Sequence, residues 1–513
     1  MLSINLNLVS LTGIKLGQHV TGVGFLRPGG ATSPTATPPV DLRVPWRTLQ
    51  PTPELFSLLS WHTHISEFEG RADEMSHLHR WADSSQPVSV KFITGNGGVG
   101  KSRLAGEFAS ALQAKGWAAG FVDLRKSQSF FLNEQGTLLV IDYPEENREG
   151  VSELFRDLAT IGEDGRLRIL FLTRQSAESW LQIAHDNHAS DFVEMAPVVL
   201  GGLKAAPGHG LYTSALERAA EAFGTVPLPL SEEALADWLS QAPENDRALF
   251  ILAAAVHGAR NPDDSAVRYS GSEVIQALVK REIDRLRAIA ASIDVPDRHS
   301  LARVLALAAI ADELSVQYIT SLAGDSRLAL GLDTGRSIRV DMEATGLFCD
   351  QVARAPKPDI VAAAFVIEIL GQRPDTAPEI VWAGIQTDVE GGLERLGRLS
   401  YDAEAVLGIL QPRLSTWLAA ALRDDVARCF ALAEFLSSTR LPLGLLGAAI
   451  EVWTTLLKQT SDDPERAHLL NNLSADLSDA GDPGGRWRRF ARRWRYAAVC
   501  QRRIQLVMSP TWR

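Results

Sequence analysis

Eight consecutive residues of this 513-residue chain carry the residue types that bind the phosphates of a nucleotide. They match the pattern G-x-x-x-x-G-K-[ST], whose glycines let main-chain N–H groups turn inward around phosphate oxygens. Lys101 is expected to reach the β- and γ-phosphates, and the hydroxyl of Ser102 is expected to ligate Mg²⁺. The pattern predicts that ATP or ADP, with Mg²⁺, binds at Gly95, Asn96, Gly97, Gly98, Val99, Gly100, Lys101, Ser102 and Arg103.

Lys101 and three later residues are predicted to carry the chemistry of hydrolysis. Asp142 ends an apolar run, where a carboxylate can hold Mg²⁺ through water. Glu145 is our candidate for polarising the attacking water, and a solvated loop acid is the alternative. Arg174 ends the next apolar run, at the edge of an open α/β sheet where ligands bind. It could sense the γ-phosphate, and a surface salt bridge is the alternative.

These residues lie in a region where apolar strand patterns alternate with helical patterns. Strands are predicted at 88–94, 136–142 and 167–174, with further strands over 117–124 and 192–200. A helix is predicted from Arg103 to Leu112, so that its N-terminus faces the phosphates. Alternation of this kind predicts a parallel sheet with crossover helices. The fold class is therefore an α/β P-loop NTPase domain.

Beyond residue 205 the spacing of apolar residues is helical almost to the end of the chain. A hairpin is expected around Asp333 to Val340, within a winged-helix-like unit. We divide the chain into six segments: a poorly ordered arm 1–54, an α/β ATPase domain 55–205, a helical lid 206–295, a winged-helix-like domain 296–375, tetratricopeptide-like repeats 376–484 and a basic tail 485–513.

Four segments together resemble one known class of nucleotide-binding proteins. They are F-x-G-R-x-x-E from Phe68, G-N-G-G-V-G-K-S from Gly95, L-L-V-I-D-Y-P-E from Leu138 and L-T-R from Leu172. The set is similar to the STAND class of signal-transducing ATPases, which includes the AP-ATPase and NB-ARC switch proteins. The bacterial type of this class carries helical repeats. Related domains usually place a proline where this chain has Ala248.

The resemblance implies a role for each matching residue. Phe68, Gly70 and Arg71 would lie beside the base. The phosphate, magnesium and sensor positions of the class fall on Lys101, Ser102, Asp142 and Arg174. Such a protein would bind ATP, hydrolyse it slowly and use the nucleotide state as a signal. Its repeats would bind a protein partner, and the nucleotide would gate self-association into a homo-oligomer.

Composition narrows the choice of partners and compartment. The net charge is −11, which counts against nucleic acid as a default partner. The longest compact apolar run, 248–256, is far too short to span a membrane. Three widely separated cysteines make no disulfide framework, so we expect a reducing, cytoplasmic location.

The basic tail has two interpretations. Residues 486–513 hold nine arginines and no acidic residue, with aromatic residues between them. Such an arm could bind nucleic acid or anionic lipid. We favour a reading-frame error near Gly485, because a one-base shift of a GC-rich back-translation gives the alanine-rich spacing of the missing second repeat helix. The tail would then have no function.

Two other functions remain open from the sequence. A winged-helix transcription regulator could use residues 300–370 to bind DNA, although that region is not notably basic. A scaffold could bind nucleotide without cleaving it, which would make Glu145 dispensable.

Overall fold

The structure is a computed structural model, and its described residues fall into two compact units. It describes residues 23–26, 41–49, 54–126, 128–158, 166–333, 335, 337–349, 351–411, 413–438, 443–461 and 463–479. The sheet unit comprises the described parts of 1–45, 73–94 and 104–199, and the helical unit those of 46–72, 95–103 and 200–479. The basic tail and most of the predicted N-terminal arm lie outside the described residues.

The sheet unit is built on a five-stranded parallel sheet with strand order β3-β5-β6-β2-β7. Its strands are β2 Val88–Thr94, β3 Ala118–Phe121, β5 Thr137–Asp142, β6 Leu167–Thr173 and β7 Val198–Val199. All seven residues of β2 and of β6 are buried, as the continuous apolar runs predict. The predicted α/β architecture is therefore confirmed. The fifth strand is much shorter than predicted, because the chain bends at Met195 and Ala196, before Pro197, and only Val198–Val199 is strand.

The register of the sheet brings three strand ends to one edge. Thr94 is paired with Thr173, and Asp142 is paired with Leu172. The carboxyl ends of β2, β5 and β6 therefore lie side by side. A separate parallel pair, β1 Val23–Leu26 with β4 Gln128–Phe131, was not predicted.

In the described part of the chain, four helices accompany the sheet, and the last two of them, in chain order, share a core of aromatic side chains with it. The helices are α2 Ala72–Ala82, α3 Lys101–Gln113, α4 Arg148–Leu158 and α5 Glu178–Asp186. The rings of Phe92 and Phe171 stack with centroids 5.3 Å apart, and Trp180 lies parallel to Phe171 at 6.4 Å. Aromatic packing of this kind fixes the inner strands firmly, so the edge at which they end is a rigid base for a site.

The helical unit continues from residue 200 and includes a small antiparallel sheet. Its helices are α1 Leu55–Leu59, α6 Ala205–Phe223, α7 Glu232–Gln241, α8 Ala248–Arg260, α9 Gly271–Ser292, α10 Ser300–Ala311, α11 Val316–Leu322, α12 Ile338–Glu343, α13 Asp359–Gly371, α14 Ala377–Ile385, α15 Val389–Tyr401, α16 Leu414–Leu422, α17 Val426–Ser438, α18 Leu446–Gln459 and α19 Asp463–Asp479. Strands β8 Glu313–Ser315, β9 Phe348–Cys349 and β10 Val352–Arg354 pair in the order β8-β10-β9.

Two local predictions in this unit need correction. The hairpin predicted around Asp333 to Val340 is wrong, because α12 begins at Ile338 and the hairpin is β9–β10. The Ser272-Glu273 pair resembles a helix N-terminus in the sequence, but α9 starts earlier, at Gly271. Ser270 is its N-cap, and Ser270 and Glu273 form a reciprocal capping box.

The lengths and polarities of the helices show whether any of them could cross a membrane. Among the described residues, every helix is too short or too polar to cross a bilayer.

Candidate functional site

The predicted phosphate loop connects β2 directly to α3. Strand β2 ends at Thr94, and α3 begins at Lys101, two residues before the predicted start. Gly98 and Gly100 have φ angles of +80° and +99°. Side chains with a β-carbon rarely adopt this region, so the two glycines are required by the backbone and not only by the pattern.

Lys101 folds its side chain back over the start of the loop. Its Nζ donates hydrogen bonds to the carbonyl oxygens of Gly95 at 2.7 Å and Asn96 at 3.1 Å. The side chain is largely buried, with 8% exposed. The ammonium group is thus held against the first two residues of the loop, and these two acceptors are neutral carbonyls. A phosphate oxygen is a stronger acceptor and would compete for the same protons.

The middle of the loop is held by the N-terminus of α8. The N–H of Leu249 donates to the carbonyl of Gly98 at 2.9 Å. The guanidinium of Arg247 lies 3.5 Å from the carbonyl of Gly97, at the outer limit of a hydrogen bond. Helix α8 has no side-chain cap of its own. The Gly98 carbonyl therefore takes one of the N–H groups that a helix start leaves unpaired.

The end of the loop is held by Arg71, which precedes β2. Its Nη2 atom donates to the carbonyl of Val99 at 3.1 Å and to the carbonyl of Gly201 at 2.7 Å. Arg71 is 7% exposed. This placement was not predicted, since sequence patterns do not join residues separated by 28 and 130 positions.

Together these contacts engage five consecutive carbonyls, those of residues 95–99. A trans peptide is planar, with its carbonyl and its N–H on opposite sides. Each carbonyl that is held by a donor therefore fixes the direction of the following N–H. Successive N–H groups directed to one side form a concave anion site. The donors at residues 95–99 thus restrict the directions that the following N–H groups can take.

Arg103, the last residue predicted to bind the nucleotide, lies in an aromatic cluster. Its Nη2 atom lies 3.3 Å from Nδ1 of His64 and 3.2 Å from the carbonyl of Ser66, to which it donates. Its guanidinium lies 5.5 Å from the ring centroid of Trp46. The rings of Trp46 and His64 meet edge to face, with centroids 3.7 Å apart. Trp46 was not predicted, because no motif joins it to the loop.

The other residues expected beside the base belong to the same unit. Phe68 is half-buried. Gly70 has φ of +70°, and a β-carbon there would lie 2.6 Å from Cβ of Pro207. The position of Phe68, Gly70 and Arg71 beside a base remains a prediction, and Arg71 meets the loop itself.

The sheet unit holds the predicted acids at the edge described above. Asp142 is the last residue of β5, and Glu145 lies in the 3₁₀ turn Pro144–Glu146. Glu145 is only 2% exposed, and its Oε2 accepts a hydrogen bond from the hydroxyl of Thr173 at 3.2 Å. The alternative that Glu145 is a solvated loop acid is therefore wrong. Tyr143, between the two acids, has φ of +55°, a strained value for a bulky residue.

Thr173 and Arg174 close the same edge. The N–H of Gln175 donates to Oγ1 of Thr173 at 3.0 Å, which fixes the hydroxyl that reaches Glu145. Arg174 follows β6 directly and is half-buried. The structure thus brings Asp142, Glu145 and Arg174 to adjoining strand ends in one unit.

Comparison with known proteins adds a weak likeness. No family model matches the chain, and no curated protein matches it. Among solved structures, the ORC2 protein of Aeropyrum pernix, determined as ADPNP–ADP complexes, is 13% identical to this chain. The alignment covers 62% of this chain and 98% of that one, with a TM-score of 0.30. A likeness this distant carries no argument about function. The chemistry rests on the residues described above.

Each unit carries side chains or main-chain groups of a kind that nucleotides or Mg²⁺ bind. The loop supplies main-chain N–H groups and Lys101 for the phosphates. The hydroxyl of Ser102 and the carboxylate of Asp142 are hard oxygen ligands of the kind that Mg²⁺ prefers.

Proposed function

We propose that this protein is an ATP-binding, slowly hydrolysing molecular switch of the STAND type. The observation that carries the proposal is the engagement of the five loop carbonyls of residues 95–99. A glycine-rich surface turn has no need of donors from Arg71 and Leu249. A loop that must present its N–H groups to an anion does need them.

In this proposal each group of the loop and of the neighbouring strand ends has one role. Main-chain N–H groups bind the β- and γ-phosphates, and Lys101 exchanges its two carbonyl partners for phosphate oxygens. Ser102 and Asp142 hold Mg²⁺, which neutralises phosphate charge when it is bound. Glu145 orients and polarises the attacking water, and Arg174 responds to the presence of the γ-phosphate.

The burial of Glu145 supports its assignment as the base. A carboxylate held by the hydroxyl of Thr173 has a fixed orientation, which a base requires. Its neighbour Glu146 instead lies 3.7 Å from Nη1 of Arg125, in an ion pair. The two adjacent glutamates are thereby distinguished by their surroundings.

The helical unit supports the role of a switch. The segment from α10 to β10 runs helix, strand, helix, helix, strand, strand, which is the order of a winged helix. The helices from α14 onward pack in succession, as the predicted repeats require. We propose that these repeats bind a protein partner and that the nucleotide gates self-association.

A winged-helix order also raises DNA binding as a second candidate. Helix α12 holds the position that reads DNA in such domains. Its one arginine, Arg339, is paired with Glu343 at 2.7 Å on the same helix face. A helix whose cation is already neutralised is poorly suited to a phosphate backbone, so we prefer the switch.

The proposal is tested by nucleotide binding to the full chain. We expect the wild-type protein to bind ATP and ADP with Mg²⁺ in isothermal titration calorimetry. Lys101→Ala should weaken ATP binding by at least about a hundredfold, because charge-assisted hydrogen bonds to phosphate are lost.

The control is Lys115→Ala, which removes an exposed lysine just beyond the same helix. It should leave the dissociation constant unchanged. The absence of binding in wild type, or equal binding by wild type and Lys101→Ala, would refute the proposal.

A further inference from the structure

Arg71 makes a contact that base recognition does not require. One atom of its guanidinium, Nη2, bridges the carbonyls of Val99 and Gly201. Both of these acceptors are main-chain groups, and the side chain is almost entirely buried. A charged donor that binds two carbonyls holds the main chain in place, because each carbonyl is kept in one direction.

The second carbonyl belongs to a segment that abuts the loop. A β-carbon at Gly95 would lie 2.6 Å from the carbonyl oxygen of Leu200, so the chain at Leu200 touches the first residue of the loop. The same segment is anchored further on, where the N–H of Leu203 donates to the carbonyl of Asp246 at 2.7 Å. Arg71 therefore ties Val99, near the end of the loop, to a braced segment beside the first residue of the loop.

The consequence concerns the peptide between Val99 and Gly100. When Arg71 holds the Val99 carbonyl outward, the N–H of Gly100 must point the opposite way. Gly100 has φ of +99° and would turn easily, since glycine resists rotation less than any other residue. Without Arg71 the peptide loses its external anchor, and the inward N–H is no longer preorganised.

We infer that Arg71 is a positioning residue for the phosphate loop, and that it acts on the phosphates through the Val99–Gly100 peptide instead of on the base. This inference rests on the proposed nucleotide site. It differs from the role that the family resemblance implies for Arg71. The two roles make opposite predictions for a ligand that has phosphates and no base.

The experiment compares Mg²⁺–ATP with Mg²⁺–tripolyphosphate by calorimetry on the full chain. Arg71→Gln should weaken both ligands by the same factor, about tenfold to a hundredfold, which is the range expected for losing a charge-assisted hydrogen bond. Arg71→Lys should recover part of the affinity for both, because an ammonium group can still donate to the carbonyls.

Arg303→Gln is the matched control. Arg303 is also buried in the helical unit, and it donates to a carbonyl, that of Ala329, and to Asp297. It should lower the unfolding temperature and leave both affinities unchanged, which separates positioning from general destabilisation. If Arg71→Gln unfolds, the comparison is made with Arg71→Lys, which should weaken both ligands alike.

Two results would overturn the inference while leaving the proposed function intact. One is a loss of ATP affinity with unchanged tripolyphosphate affinity, which would place Arg71 on the nucleoside. The other is wild-type affinity for both ligands in Arg71→Gln. If wild type itself binds neither ligand, the proposed function fails first and the inference falls with it.

Discussion

Glu145→Gln should reduce ATP hydrolysis by at least about a hundredfold while ATP binding stays within a factor of about two, the pattern expected when only a general base is lost. The substitution is isosteric, and the amide oxygen can still accept the hydrogen bond from Thr173. The buried site should therefore keep its shape. What disappears is the negative charge that withdraws a proton from water. Phosphate release under single-turnover conditions and calorimetric binding of ATP measure the two quantities separately.

Glu146→Gln is the control for this prediction. Glu146 is adjacent in the chain, and it faces Arg125. Its substitution should leave the hydrolysis rate near that of wild type. Full activity in Glu145→Gln would show that another group orients the water. The protein would then be closer to the scaffold that binds nucleotide without cleaving it.

Gly98→Val should abolish ATP binding and lower the free energy of unfolding. A β-carbon at Gly98 would lie 3.1 Å from Cβ of Leu249 and 3.2 Å from Cδ1 of Ile360. The φ angle of +80° is also disfavoured for a β-branched residue. Left-handed strain and crowding together should cost about 2–4 kcal/mol. The loop can relieve them only by turning the peptides that face the phosphates.

Chemical denaturation and ATP titration measure both effects. The matched control is Gly324→Val, because a β-carbon at Gly324 meets no atom within 4 Å. It should bind ATP as wild type does. Normal binding by Gly98→Val would mean that the described loop conformation is not the one that receives phosphate.

Much of the sheet unit could be predicted from local patterns. Strands β2, β5 and β6 are continuous apolar runs, and burial on both faces selects for such runs. The phosphate loop was predictable because its glycines, lysine and serine are fixed by chemistry at fixed spacing. Apolar spacing predicts a helix from Asp246 to Val256, and α8 starts at Ala248, two residues later.

The unpredicted features depend on contacts between distant residues. Strands β1 and β4 are four residues each, and only their pairing makes them strands. The fifth strand was overestimated, because a bend at Met195 and Ala196 separates most of its apolar residues from Val198–Val199. Arg71 appeared in a motif, yet its partners Val99 and Gly201 belong to other segments of the chain. Neither the composition of a segment nor the spacing of its apolar residues predicts such hydrogen bonds.

The hydrogen bond between Leu249 and Gly98 has a consequence for how the protein is made. The motif itself is complete as soon as Ser102 has been synthesised. Its conformation is not complete then, because the donor for Gly98 is supplied only when α8 has formed. During translation the loop therefore cannot take this conformation until α8 has been synthesised. The start of α8 lies more than a hundred residues further along the chain, since Gly97 and Arg247 are separated by 150 positions. A fragment that ends before α8 would contain the whole motif and lack the hydrogen bond from Leu249 to Gly98 that holds its conformation. The motif is present in the unfolded amino-acid sequence, whereas the binding site forms only in the folded chain.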